Sequence, residues 1–153
     1  MTTKKLMLSS TLRAMEVTIR NHQLLCLDVG ERRIGVALAD TAVRIAIPYD
    51  TFDVDGTEIT TIAELVVREK IDTIVVGYPR NQQGQATAQS AHSEAFAKLL
   101  SDMATVVFQD ESLTSVMAEN RLQARKKSYQ KGDIDKEAAA IILQDYLEEH
   151  YAA

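Results

Sequence analysis

One cysteine, few aromatic residues and no long apolar run set the first limits on this 153-residue chain. Cys26 has no partner within the chain, which excludes an intramolecular disulfide and suits a reducing compartment. Lying inside the run LLCLDV, it reads as a small buried hydrophobe. No apolar stretch approaches the ~20 residues that span a bilayer, and the run LMLSSTL is shorter than a secretory core and soon followed by Arg13. The expectation is a soluble, cytoplasmic protein without membrane contact. Positive charge is also short, with 17 Lys and Arg against 22 Asp and Glu for a formal charge of -5. Tight non-specific binding of a polyanion draws on many cationic contacts, so the charge argues against a generic polyphosphate binder and any nucleic-acid site must be a local basic patch.

The hydrophobic fraction of 46% and the length suffice for one core and are too small for a comfortable division into two. Residues 1–23 carry Lys4, Lys5, Arg13 and Arg20 against Glu16, with only a thin helical stripe of Leu12, Met15 and Ile19. They read as an extension to a domain spanning 24–153, a mobile tail or a translation start placed upstream of Met15 in preference to a nucleic-acid-binding arm.

From residue 24 the pattern sharpens. LLCLDV is a short apolar run, RIGVALA alternates Ile34, Val36 and Leu38, and VRIAIP alternates Val43, Ile45 and Ile47, which predicts three consecutive strands joined by turns at Gly30 and at Asp40-Thr41. Asp55-Gly56-Thr57-Glu58 resembles a capping box ahead of a helix carrying Ile59, Ile62, Leu65 and Val66, and IDTIVVGYP reads as a buried strand. A second helix with Ala88, Ala91, Ala95 and Leu99 on one stripe leads into ATVVFQDE, another buried strand. A helix with Met117, Ala118 and Leu122 follows, N-capped by Thr114 or Ser115, and DKEAAAIILQDYLEEH forms an amphipathic C-terminal helix after a mobile loop at Tyr129–Asp133. Three antiparallel strands followed by parallel crossover strands, with helices on both faces, make a mixed-sheet α/β arrangement.

Three carboxylates stand where packing alone does not ask for acids: Asp28 late in an apolar strand, Glu111 after ATVVFQ, and Asp135 opening the last helix. A buried unpaired carboxylate is costly, and a shared Mg²⁺ or Mn²⁺ would supply the missing partner, since hard cations take oxygen ligands. Each acid also has an ordinary structural reading: Asp28 as a turn former, Glu111 as a solvated strand end, Asp135 as a helix cap. Ala138 and Ala139, one turn after Asp135, favour a close approach of that helix to the sheet. Asp110 and Asp133 are neighbouring competitors.

Positive charge gathers at Arg32 and Arg33 in the first turn, and at Arg121, Arg125, Lys126, Lys127, Lys131 and Lys136 around Asp135. An acidic chain that keeps its basic cluster beside its candidate metal ligands suits a polyanion crossing that edge. The loop GYPRNQQGQ lies at a strand's carboxyl end, where open sheets place ligands, and offers Arg80 and Asn81 to a phosphate or base; read plainly it is a surface connection.

The segments LLCLDVGERRIGVALAD, IDTIVVGYPRNQQGQ, VVFQDESLTS and DIDKEAAAIILQDYL, in this order from about residue 24 to the end, resemble the YqgF family of RNase H-like nucleases, also called Holliday-junction-resolvase-like. The resemblance implies a mixed five-stranded RNase H-like sheet and an acidic triad of Asp28, Glu111 and Asp135 acting with divalent metal. It further implies a nuclease that matures the 5′ end of pre-16S rRNA in ribosome biogenesis, with resolution of branched DNA as the alternative and ribosomal precursor particles as associated partners. Ser112 and Ser115 depart from the Arg and Thr usual in that family, which removes a guanidinium suited to phosphate or base.

The expected chemistry is hydrolysis by two metal ions roughly 4 Å apart, with Asp28 bridging, Glu111 and Asp135 completing one ion each, and Lys126, Lys127 and Lys131 holding the strand. Arg32, Arg33, Arg80, Asn81 and Thr114 are the remaining candidates for substrate contact. A junction resolvase would be a dimer, because two symmetric cuts need two sites related by a two-fold axis. An actin-type ATPase shares the opening D-x-G hairpin but needs two such domains. A docking module on the same scaffold would need no metal at these acids.

Overall fold

The computed structural model describes residues 21–111 and 114–151, the side chains of Thr114 and Ser115 excepted. The expectations for residues 1–20, for Ser112 and for the side chains of Thr114 and Ser115 lie outside it. The elements are β1 (Gln23–Val29), β2 (Arg33–Asp40), β3 (Ile47–Asp53), α1 (Glu58–Arg68), β4 (Thr73–Pro79), α2 (Ala88–Leu100), β5 (Thr105–Glu111), α3 (Thr114–Ala124) and α4 (Lys131–Tyr151). They build one mixed sheet in the order β3-β2-β1-β4-β5, with β1–β2 and β2–β3 antiparallel and β1–β4 and β4–β5 parallel. This is the α/β arrangement that the alternation and crossover pattern predicts. Among the described residues no helix is long and apolar enough to cross a membrane.

β1 lies at the centre because its run is apolar on both sides. Leu25, Leu27 and Val29 face α1 and α2, packing with Ile34, Val36, Ile74 and Val76 against Ile62, Leu65 and Phe96. Leu24 and Cys26 face α4, packing with Ala37, Ala39 and Val75 against Ala139, Ile142, Leu143 and Tyr146. α3 closes over the outer side of α4 through Ala118, Ala138 and Ile141. Every residue from Glu137 to Leu143 is therefore buried, and the last helix is enclosed through this stretch instead of being one-sided.

Several local expectations need correction. The third strand is IPYDTFD, and the alternating Val43, Ile45 and Ile47 are exposed by 62%, 58% and 60%. Asp40 diverts the chain there: its carboxylate accepts from the Ala42 N–H, its carbonyl accepts from the Arg44 N–H, and Arg44 takes a left-handed φ of 61°. The apparent capping box is shifted: Glu58 Oε2 accepts from the N–H groups of Asp55 and Gly56, while Asp55 accepts from Thr57. A reciprocal box stands instead at Thr87 and Ser90.

α2 turns its other face inward. Ser90, Ser93, Phe96, Ala97 and Leu100 are buried, and Ala88, Ala91, Ala95 and Leu99 are exposed. The buried hydroxyl of Ser90 donates to the carbonyl of Pro79, so a polar residue that masks the stripe in sequence is satisfied in the core. β5 is an edge strand with three of its seven residues exposed, not a fully buried one.

The closest approach of helix to sheet depends on Gly35, in register with Asp28 across β1 and β2. A Cβ there would overlap the backbone carbonyl of Asp135 outright. Gly35→Ala should displace the start of α4 and cost about 2 kcal/mol by overpacking, lowering the thermal midpoint by roughly 4–8 °C. Gly132→Ala, whose Cβ meets nothing nearer than 3.7 Å, should leave the midpoint unchanged or higher, as differential scanning fluorimetry would show.

Candidate active site

Asp28 points to the α4 side of the sheet, because side chains alternate and Leu24 and Cys26 face that way. Its position in the paired part of β1 rules out the turn-forming role; the turn is closed by the Gly30 N–H donating to the Arg33 carbonyl at 3.0 Å. Glu111 ends β5 two strands away, beyond β4. It reaches inward because Gly77 on β4 has no side chain: Glu111 Oε2 lies only 2.6 Å from where a Gly77 Cβ would stand, with Ile142 Cδ1 at 3.0 Å from the same point. Asp135 is delivered from above, in the second turn of α4 and not at its cap. The capping contact belongs to Asp133, whose carboxylate accepts from the Gln130 N–H. The last helix thus begins at Lys131, inside the stretch that reads as a loop.

These acids oppose one another. Burial first, and then the charge of Asp135, push the Asp28 carboxyl from an ordinary 3.8 up to about 6. Burial first, and then Asp28, push Glu111 from 4.5 up to about 8. Burial also drives the Cys26 thiol up, reinforced by Asp28 and Glu111, so this cysteine is an inert core residue. Glu111 Oε2 is buried with no hydrogen-bond partner among the described residues. An unsatisfied buried carboxylate oxygen beside a second acid is what a hard cation would relieve, so the donor set fits Mg²⁺ or Mn²⁺ in chemistry. Among the described residues no three His, Cys, Asp or Glu side chains converge tightly enough to hold one ion as they stand. Asp135 is already engaged: Arg33 Nε donates to its Oδ2 at 2.5 Å.

The basic candidates divide. Arg33 joins the acids, and Arg32 is exposed in the adjoining turn. Lys127 lines a cavity of about 360 Å³ together with Arg125, Lys136, Tyr129 and Pro48. Lys126, at a left-handed φ of 56°, and Lys131 are exposed near it in the chain. Arg121 and Arg125 instead converge on the buried Glu137, at 3.5 and 3.1 Å. Arg80 turns away from Asp28, pairing with Asp110 at 2.8 Å and lying 4.7 Å over the Tyr78 ring. The Asn81 side chain is spent on its own loop, accepting from the N–H groups of Gln83 and Gln85. Sequence reasoning missed Gly35 and Gly77. The signal available for both is a glycine inside an apolar strand, which marks a close approach.

Because the folded chain holds protons on Asp28 and Glu111 more tightly than the unfolded chain does, these groups weaken the fold as pH rises. Their effect is absent below about pH 4 and complete above about pH 8. With chelator present, the thermal midpoint should rise as the buffer is taken from pH 8 toward 5, and Asp28→Asn with Glu111→Gln should flatten that slope. An unchanged slope in the double variant would count against the burial and coupling of these acids.

With the geometry established, comparison with known proteins places the chain. Residues 22–149 match the family model described as RuvX, Holliday junction resolvase. A Chloroflexus aurantiacus protein named as a proposed pre-16S rRNA nuclease is 43% identical over 131 residues, covering 82% of this chain and 86% of that protein. A Bacillus subtilis protein of the same name is 37% identical over 134 residues, covering 82% and 97%. Among solved structures, Thermus thermophilus RuvC with a Holliday junction substrate superimposes with a TM-score of 0.53 at 13% identity, covering 84% of this chain and 94% of that one. Fowlpox virus resolvase with Holliday junction DNA gives 0.54 at 11% identity, covering 83% and 97%. At such identities the structures speak for the fold, and the family model and the curated relatives carry the rest: the chain belongs to the YqgF/RuvX family of RNase H-like nucleases.

Proposed function

We propose that this chain is a cytoplasmic, metal-dependent nuclease that hydrolyses a phosphodiester bond of pre-16S rRNA during ribosome biogenesis, with Asp28, Glu111 and Asp135 as its metal-holding carboxylates. The observation that carries the reading is the buried, unpartnered Oε2 of Glu111 lying over Gly77, close enough to Asp28 for that acid's charge to push the Glu111 carboxyl up. The names of the relatives, which span most of their length in common with this chain, favour ribosomal RNA over branched DNA. Mg²⁺ or Mn²⁺ at these acids supplies Lewis acidity toward water and phosphate.

The chain's own residues do the rest. Glu111, pushed up to about 8, keeps its proton near neutral pH, while Asp28, at about 6, is largely ionised there, so a cation held by the pair would displace the Glu111 proton. Gly77 leaves the space that Glu111 fills, and Gly35 sets the height of Asp135 above the sheet. Arg32 and Arg33 line one approach, while Lys126, Lys127 and Lys131 hold phosphates along the other, so that an acidic protein presents its cations where the strand crosses. Thr114 keeps the substrate-contact role that the sequence suggests for it. Arg80 and Asn81 serve as a border of the cleft, since Arg80 is committed to Asp110 on β5 and Asn81 to its own loop. Precursor ribosomal particles are the natural form in which such a substrate is met.

Incubation of end-labelled pre-16S RNA and of a synthetic four-way DNA junction with Mg²⁺, Mn²⁺ or chelator separates the readings. The expected result is metal-dependent cutting of the RNA that falls by a factor of at least about 100 in Asp28→Asn, in line with loss of a group essential to metal catalysis. Preferential cutting of the junction would transfer the chain to resolvase chemistry. Equal activity of Asp28→Asn would remove Asp28 from the site.

A further inference from the structure

The ion pair between Arg33 and Asp135 joins residues 102 positions apart, and it occupies one of the three acids with a cation the protein itself supplies. Only the Nε of Arg33 is used; among the described residues its two Nη groups make no hydrogen bond. The two side chains are 34% and 24% exposed, so the pair is open to exchange with solutes. A second acid, Asp53, stands in register with Arg33 on β3. A guanidinium is always charged, and its planar fork matches phosphate geometry in two-point contact, which ammonium groups do not do.

We infer that Arg33 is a placeholder cation that holds Asp135 until substrate arrives, and that it then turns its guanidinium to a backbone phosphate and frees Asp135 for metal. Metal binding and RNA binding are thereby coupled through one side chain. The inference rests on the proposed metal site and adds to it a positioning residue acting through Asp135. Three features of the structure support it. Asp135 is paired while Glu111 is not, so the acids do not converge on one point in this state. The helix carrying Asp135 lies directly on Gly35 and is packed between the sheet and α3, so what must move is the part-exposed arginine and not the helix. The free Nη groups give a phosphate a place to dock before the Nε bond is surrendered.

The test is Mn²⁺ affinity of the full chain, read from the electron paramagnetic resonance of free Mn²⁺, with and without a short nuclease-resistant phosphorothioate RNA. In the wild type the RNA should tighten Mn²⁺ binding by about fivefold or more, the low end of ordinary coupling between sites. Arg33→Gln should bind Mn²⁺ more tightly than wild type in the absence of RNA, and RNA should add little further. Arg33→Lys, which keeps the charge without the fork, should retain weak metal binding yet show reduced coupling, and it carries the test if circular dichroism shows Arg33→Gln misfolded. Equal Mn²⁺ affinity of Arg33→Gln and wild type, or full coupling in either variant, overturns the placeholder role. Unchanged Mn²⁺ affinity in Asp28→Asn would instead overturn the metal site itself.

Discussion

Asp28 and Glu111 sit on a sheet whose centre is made of leucine, isoleucine and valine, and neither is surrounded by enough polar structure to remain charged at little cost. Their shared half-burial, with one Glu111 oxygen fully enclosed, is the constraint on which the rest of the arrangement depends. A fold selected for stability alone would place alanine or valine there. Here the chain keeps the acids and builds around them: a glycine on β4 to receive one carboxylate, a glycine on β2 to admit a helix backbone, and a third acid carried by that helix. The upward push on both carboxyls, stronger on Glu111 than on Asp28, is the physical expression of this conflict.

The α4 helix transmits that constraint to the whole molecule. It is packed against the sheet on one side and α3 on the other, so the position of Asp135 follows from the small residues Ala138, Ala139 and Ala140 together with Gly35. Glu137, buried between the two helices, is neutralised by Arg121 and Arg125, which ties α3 to the same helix that bears Asp135. Cations that look in sequence like a free phosphate track are therefore partly structural, while Lys127 and Lys136 keep their place around an open cavity.

Much of this was legible in the sequence. The strands β1, β2 and β4 follow from their apolar runs and alternation, and the acids stand out because Asp28 interrupts such a run, Glu111 follows one and Asp135 precedes one. What escaped periodicity has specific causes. β3 was displaced toward Pro48 and Tyr49 because the Asp40 turn, closed by its own carboxylate, consumes the alternating residues after it. The inner face of α2 was hidden by Ser90 and Ser93, which are polar in composition and buried in fact. Asp135 reads as a helix cap until Asp133 is seen to fill that role. The ion pair between Arg33 and Asp135 had no sequence signal, since it joins residues that only the tertiary fold brings together.

Family membership speaks for cleavage of a nucleic-acid backbone, and in the proposed site Glu111 carries a proton that a bound cation would displace. Isothermal calorimetry of Mg²⁺ or Mn²⁺ binding at pH 7, repeated in buffers of different ionisation enthalpy, measures that protonation directly. Binding should release roughly one proton, with the release shrinking above about pH 8 and much reduced in Glu111→Gln, because these acids must deprotonate to take a metal. Metal binding without proton release at pH 7, or with release unchanged in Glu111→Gln, would contradict the account.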